Sequence, residues 1–363
     1  LLENPVWQAT LENAGNGLKA QDTINFSAGI EKDNLSEGLE LLEHLWDSSV
    51  ADQESYNNYV AAIAKERQNN KTSKGRILRS GLLNYAIYGE NSRLRNVIPV
   101  SELKAINPKD LVKIVKDLKN YKQRLFYYGK DVKSAITAID QFHSTPAKLI
   151  DYPEPINYIE KETGGNVYYV DYDMVQSEMM FIAKGAPFKA ENMAVSLLFN
   201  TYFGGGLSSI IFQEIRESKS LAYSAWSNYS TASKKENSNY VMAYIGTQSN
   251  KMPEAVEAMM ELMNNMPEAK EQFNAAKEST LKQLASQRIT KSNIFWNYER
   301  LQKIGIETDN REVMYNAIKK MKMVDLRNFF NENIKGENYN VMVIGNEKDL
   351  DFKALNTLGK VQK

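Results

Sequence analysis

The sequence predicts an α/β (α+β) protein made of two homologous domains, each an antiparallel-rich sheet backed by helices. Three observations carry that reading. Strand-like and helix-like runs follow the same order in both halves of the 363 residues. Landmarks recur at a fixed offset: Gly89 and Gly305 lie 216 residues apart, as do Gly129 and Gly345, and Asp110-Leu111 precedes Asp325-Leu326 by 215. The hydrophobic fraction is 42%, with no apolar run approaching the roughly 18 residues of a membrane span. A constant register over several elements points to duplication, because independent elements drift in spacing.

Each element has a local reason. In "DTINFSAGI", Ile24, Phe26, Ala28 and Ile30 alternate on one face, the period-two signature of a half-buried strand. Leu39, Leu42, Leu45 and Trp46 form the apolar stripe of a helix over about 36–48. Longer helical patterns follow at about 52–68, 75–88 and 108–119, and "QRLFYYGK" closes the half as a strand. From Phe142 to Thr163 the chain holds three of the nine prolines and no period, which reads as an extended linker. Beyond it, "NYVMAYIGT", "PEAVEAMMELMNNM", "EAKEQFNAAKESTLKQLASQ", "SNIFWNYERLQKIG", "MVDLRNFFNENI" and "NYNVMVIGN" repeat the order strand, four helices, strand. The second half also has an opening without a counterpart in the first. It consists of two strand-like runs in "NVYYVDYDMVQSEMMFIAKG", a helix at about 190–202, and "FGGGLSSIIFQEIRESKSLAYSAWS". The expected domains are therefore 1–143, starting partway through its fold without an N-terminal strand and helix, a linker at 144–163, and a complete domain at 164–363. A sheet lacking a strand leaves an open edge, so upstream polypeptide or another segment is expected to fill it.

Composition narrows the function. Forty-five basic and 45 acidic residues cancel, leaving no global field to recruit nucleic acid or an anionic membrane. There is no Cys, which removes disulfides, thiolate zinc sites and Cys nucleophiles. Only two histidines occur, His44 and His143, in different elements. A His-paired zinc site supplied by this chain is not expected. "ELLEHLW" (Glu40–Trp46) nevertheless stands one residue from H-x-x-E-H, with Glu40 where the first His would be. In the repeat register it matches the helix after a sheet strand. It reads as an amphipathic helix whose Glu43 and His44 face water.

Two stretches could hold chemistry. Gly204-Gly205-Gly206-Leu207-Ser208-Ser209 joins two helices and reads as a C-cap and tight turn with a serine N-cap; phosphate cradling would need a strand before the glycines and a Lys that is not in place. Arg216 and Tyr223 bracket the junction of the following helix with a strand. They suit a cation and an O–H aimed at one point, or else an Arg paired with Glu214 or Glu217 and a packed Tyr.

"FGGGLSSIIFQEIRESKSLAYS" resembles the signature of the pitrilysin/insulinase family of zinc peptidases (inverzincins). That signature has a Gly-rich turn, Ser-Ser, Phe-x-Glu-x-Arg-Glu and then Leu-Ala/Gly-Tyr, with Arg and Tyr seven apart, as Arg216 and Tyr223 are. The resemblance covers nearly the whole chain. The family's His-Pro-Tyr is missing after Gly89, where "ENSRLRN" stands, and the first half is similar to the third domain of long bacterial members. The resemblance implies the non-catalytic C-terminal half of a zinc metalloendopeptidase. Arg216 and Tyr223 would contact substrate, Gly204, Gly205, Gly206 and Ser208 would line the substrate path, and Zn²⁺ would sit on an absent N-terminal half. That half, in the same polypeptide or a separate subunit, and peptide substrate are the implied partners; neither nucleic acid nor a membrane span is expected. One alternative is a catalytically inactive scaffold or assembly subunit of the same fold. Another is the zinc-bearing half trimmed of H-x-x-E-H, with Glu66 near the third zinc ligand. Bacterial members imply the periplasm or cell envelope, with the cytoplasm left open.

Overall fold

The computed structural model describes residues 8–11, 24–27, 34–290 and 293–363, with side chains in the last two segments. Ala28 and Ile30 of the first expected strand lie outside the described residues, as does Ser292 at the start of an expected helix. The chain forms two compact units, one of residues up to Asn70 with Arg93–Tyr158, the other of Lys71–Ser92 with Ile159–Lys363.

In the first unit, strands β1 (Gln8–Leu11) and β2 (Ile24–Ser27) pair antiparallel. Helices Leu35–Asp47, Gln53–Thr72, Pro108–Asp117 and Val132–Phe142 follow. Tyr56, Val60 and Leu103 form a small core, and the Tyr56 hydroxyl donates to the Leu103 carbonyl at 2.6 Å. "QRLFYYGK" departs from expectation: residues 122–128 form no strand. The neighbourhood makes one parallel bridge, Tyr121 to Ile150, with Lys122 N–H donating to Ile150 O at 2.8 Å. β-Branched and aromatic composition favours a strand only where a neighbour supplies the ladder and the buried face, and Leu125 and Tyr128 are 52% and 61% exposed.

A second departure concerns "ELLEHLW". Glu43 is 8% exposed, not turned to water. Its carboxylate meets His143 Nδ1 at 2.6 Å and Lys119 Nζ at 2.5 Å. Lys119 also bonds Asp47 at 2.7 Å, and His143 Nε2 meets Gln123 Oε1 at 3.1 Å. A carboxylate can be buried when charge and hydrogen bonds replace its lost hydration. Burial pulls the Lys119 ammonium down, but the bonds to Asp47 and Glu43 outweigh it and hold its pKa above the ordinary value. His44 does face solvent.

The second unit holds a six-stranded sheet in the order β5-β6-β4-β7-β3-β8. These are β3 (Asn166–Asp171), β4 (Gln176–Pro187), β5 (Ser224–Ser230), β6 (Ser238–Gln248), β7 (Asn340–Gly345) and β8 (Lys360–Gln362). β5 to β6, β6 to β4 and β4 to β7 pair antiparallel, while β3 runs parallel to β7 and β8. Both faces are buried. Met179, Phe181, Val341 and Val343 point into the main core with helices Asn192–Phe199, Met252–Asn264 and Met323–Asn333. The alternate residues Met180, Ile182, Met342 and Ile344 meet Leu78 and Ala86 on the other face. Residues 74–88, which precede the linker in sequence, therefore cover the far side of this sheet. That explains why "MMFIA" and "VMVIG" are continuously apolar: a sheet covered on both sides has no polar face to alternate with.

The repeated landmarks have repeated structural roles. Gly89 and Gly305 adopt φ of +66° and +77° just beyond the ends of helices, where glycine costs least. Asp110 and Asp325 each stand third in their helix. The Asp325 carboxylate accepts the Lys322 N–H at 2.7 Å, a favourable charge for a helix start.

Candidate functional site

The signature stretch lies at the β5 edge of the second unit. The helix Asn192–Phe199 widens into a π-turn, Asn200–Gly204, before the glycine run. There the Asn200 side chain replaces a missing strand: its Nδ2 donates to Tyr229 O at 3.0 Å, and its Oδ1 accepts Tyr229 N–H at 2.7 Å. Gly204 presses on Ser227, a buried residue of β5 two before Tyr229. A Cβ on it would lie 2.1 Å from Ser227 O, so only glycine permits this approach.

The rest of the turn opens to solvent. Gly205, Gly206, Leu207 and Ser208 are exposed, and Gly206 has φ +91° with open space around it. Ser209 is buried and caps the next helix, its hydroxyl donating to Gly206 O at 2.8 Å and accepting from Phe212 N–H at 3.4 Å. Within the run, Gly204 and Ser209 hold the scaffold, while Gly205 to Ser208 are exposed with the Gly205 N–H, Gly206 O and Leu207 O bonded within the turn.

Ile211 and Ile215 anchor the following helix in the core. Arg216 lies in its π-turn, Phe212–Ser218, a geometry that often re-aims side chains at functional sites. Its guanidinium stands over the Phe212 ring at 4.7 Å and meets Glu217 only at 3.8 Å. With side chains 43% and 52% exposed, such a pair contributes about 0–1 kcal/mol and leaves most guanidinium donors available. Ser220 then reverses the chain at φ +51°, the single non-glycine residue with positive φ among those described.

Four hydrogen bonds hold the reversed segment to the end of β6. Lys251 Nζ donates to Ser220 O at 3.0 Å, and Thr247 Oγ1 to Leu221 O at 2.6 Å. Tyr223 N–H donates to Gly246 O at 2.9 Å, and Gln248 Nε2 to the Tyr223 phenol oxygen at 2.8 Å. Tyr223 is 54% exposed, so its ring is fixed at the hydroxyl end while its face stays open. Arg216 and Tyr223 thus sit at the two ends of one tethered reversal, both reaching solvent. A groove of about 510 Å³ beside this turn is lined by Lys219, Leu221, Ala258, Glu254, Glu257 and Glu261; neither Arg216 nor Tyr223 lines it.

The residues weighed for metal lie apart from one another, on separate elements. Glu66 is an exposed residue on the helix Gln53–Thr72. His44 Nδ1 lies 3.2 Å from Ser48 Oγ, and His143 meets Glu43 and Gln123. Among the described residues no three His, Asp or Glu side chains converge. Sequence reasoning missed Asn200 and Gln248. Both are uncharged amides in unremarkable local context, and their roles exist only once β5 and β6 are side by side.

Residues 105–280 match the family described as the Peptidase M16 inactive domain, a span containing the glycine run, Arg216 and Tyr223. Over 88 residues the chain is 32% identical to the uncharacterized zinc protease YmxG of Bacillus subtilis, covering 24% of this chain and 21% of that protein. A protease from Helicobacter pylori has the same fold at a TM-score of 0.64 and 15% identity, over 90% of this chain and 81% of that one. The ferredoxin protease FusC, solved in complex with Arabidopsis ferredoxin, gives a TM-score of 0.67 at 11% identity, over 90% of this chain and 36% of that one. The match over residues 105–280 and the similarity to a zinc protease agree with the pitrilysin-like signature. It spans about a fifth of the curated relative and about a third of FusC.

Proposed function

We propose that this chain is the non-catalytic half of a zinc metalloendopeptidase. It forms one wall of a peptide chamber and supplies Arg216 and Tyr223 to an active site whose zinc is held by a separate half. The observation that supports this most is the tethered reversal within an inactive M16 domain, which leaves a guanidinium and a phenol accessible at the ends of one turn. Hydrolysis of a peptide bond drives negative charge onto the scissile carbonyl oxygen. Groups positioned in advance to donate hydrogen bonds there lower the barrier without having to reorganise. Zinc on the other half would polarise the carbonyl and its bound water. In this chain, Tyr223 O–H donates to the developing oxyanion, Arg216 binds the substrate backbone by its fork of N–H donors, and the exposed residues Gly205 to Ser208 border the path of the extended peptide.

The partner implied is a zinc-bearing half, the substrate an unfolded peptide, and the setting the bacterial periplasm or cell envelope. In the assembled two-half protein, Arg216→Ala and Tyr223→Phe are each expected to lower kcat roughly 100-fold, with Tm unchanged because both side chains are exposed. Turnover equal to that of the parent would overturn the assignment and favour the scaffold reading of the same fold.

A further inference from the structure

We propose that Gln248 is a positioning residue for Tyr223; the inference rests on the role given to Tyr223 above. The phenol oxygen has one proton and two lone pairs. Gln248 Nε2 donates to it at 2.8 Å, which occupies a lone pair and leaves the proton free. A phenol that accepts one hydrogen bond also becomes a stronger donor through its own O–H, since bonds in a chain polarise one another. The amide therefore fixes the ring's direction and leaves the hydroxyl as a donor toward substrate.

The placement of Gln248 is itself constrained. It ends β6, directly after Thr247, which is fully buried and holds Leu221 O. The turn beyond it is tied back through Ser249 Oγ to Ser177 Oγ at 2.8 Å. A rigid strand end thus carries an otherwise solvent-exposed amide to the phenol. With 54% of Tyr223 open to water, this bond is the side-chain contact that sets the direction of the phenol.

The test is a double-variant cycle in the assembled two-half protein, measuring kcat and KM on one peptide substrate alongside thermal unfolding. Gln248→Leu is expected to lower kcat about tenfold, the kinetic size of one neutral hydrogen bond, with KM and Tm unchanged. In the Tyr223→Phe background the same change is expected to have no further effect. Gln248→Glu is expected to be worse than Gln248→Leu, because a carboxylate accepts the phenol proton and removes the donor. The positioning role is overturned if Gln248→Leu leaves kcat intact, if it lowers kcat equally in the Tyr223→Phe background, or if Gln248→Glu retains full activity. A Tyr223→Phe protein with parental turnover sinks the role of Tyr223, and this inference with it, a failure visible before any Gln248 variant is made.

Discussion

Residues 124–129 (RLFYYG) and 340–345 (NVMVIG) occupy matching places in the duplicated sequence, and both end on glycine. Their fates differ. The second run is β7, buried at every residue and bonded on one side to β4 and on the other to β3. The first forms no ladder among the described residues and leaves Leu125 and Tyr128 in water. Strand propensity is similar in the two, so the contrast isolates the neighbours as the cause. The units are stabilised correspondingly. The second rests on a two-faced apolar sheet, whereas the first combines a small core with the buried Glu43–Lys119–His143 network.

If that contrast is right, the largest effect in the first unit comes from charge. Glu43→Ala takes the carboxylate from His143 and leaves Lys119 only Asp47 as an ionic partner, and about 3 kcal/mol, the low end for a broken buried pair, should be lost. Glu40→Ala, exposed on the same helix, should stay within about 0.5 kcal/mol. Urea unfolding of both variants measures this, and equal effects would break the comparison.

In the second unit the larger loss should come from apolar truncation. Ile344→Ala removes a fully buried side chain and is expected to cost about 3 kcal/mol. Tyr128→Ala, one repeat earlier, should cost under about 0.5 kcal/mol. Chemical denaturation followed by tryptophan fluorescence reads both, and a costly Tyr128→Ala would show that the first run packs as a strand after all.

A smaller effect concerns pH. Burial, and then the neighbouring Glu178 carboxylate, push the Tyr244 phenol up to about 12, against the partial relief of Arg79. The unfolded chain releases this proton near 10 while the folded unit keeps it, so the stabilisation is full below pH 10 and is lost as pH rises toward 12. Tyr244→Phe should therefore flatten the alkaline decline of stability by roughly 2 kcal/mol near pH 12. A decline of unchanged slope in Tyr244→Phe would assign it to the other buried tyrosines.

The local code determined much of this protein. Helix stripes, the glycine C-caps at Gly89 and Gly305 and the signature around Arg216 and Tyr223 are carried by nearest-neighbour spacing, and the repeat register by a constant offset along the chain, both of which sequence records directly. The tertiary structure decided what depends on residues far apart in the chain. Glu43 is buried because His143, 100 residues on, and Lys119 meet it. Gly204 must be glycine because Ser227 lies against it, and Asn200 and Gln248 matter because β5 and Tyr223 come within their reach. Hydrogen bonds and burial act over about 3 Å in space, whatever the separation along the chain, so these roles appear only when the sheet has formed.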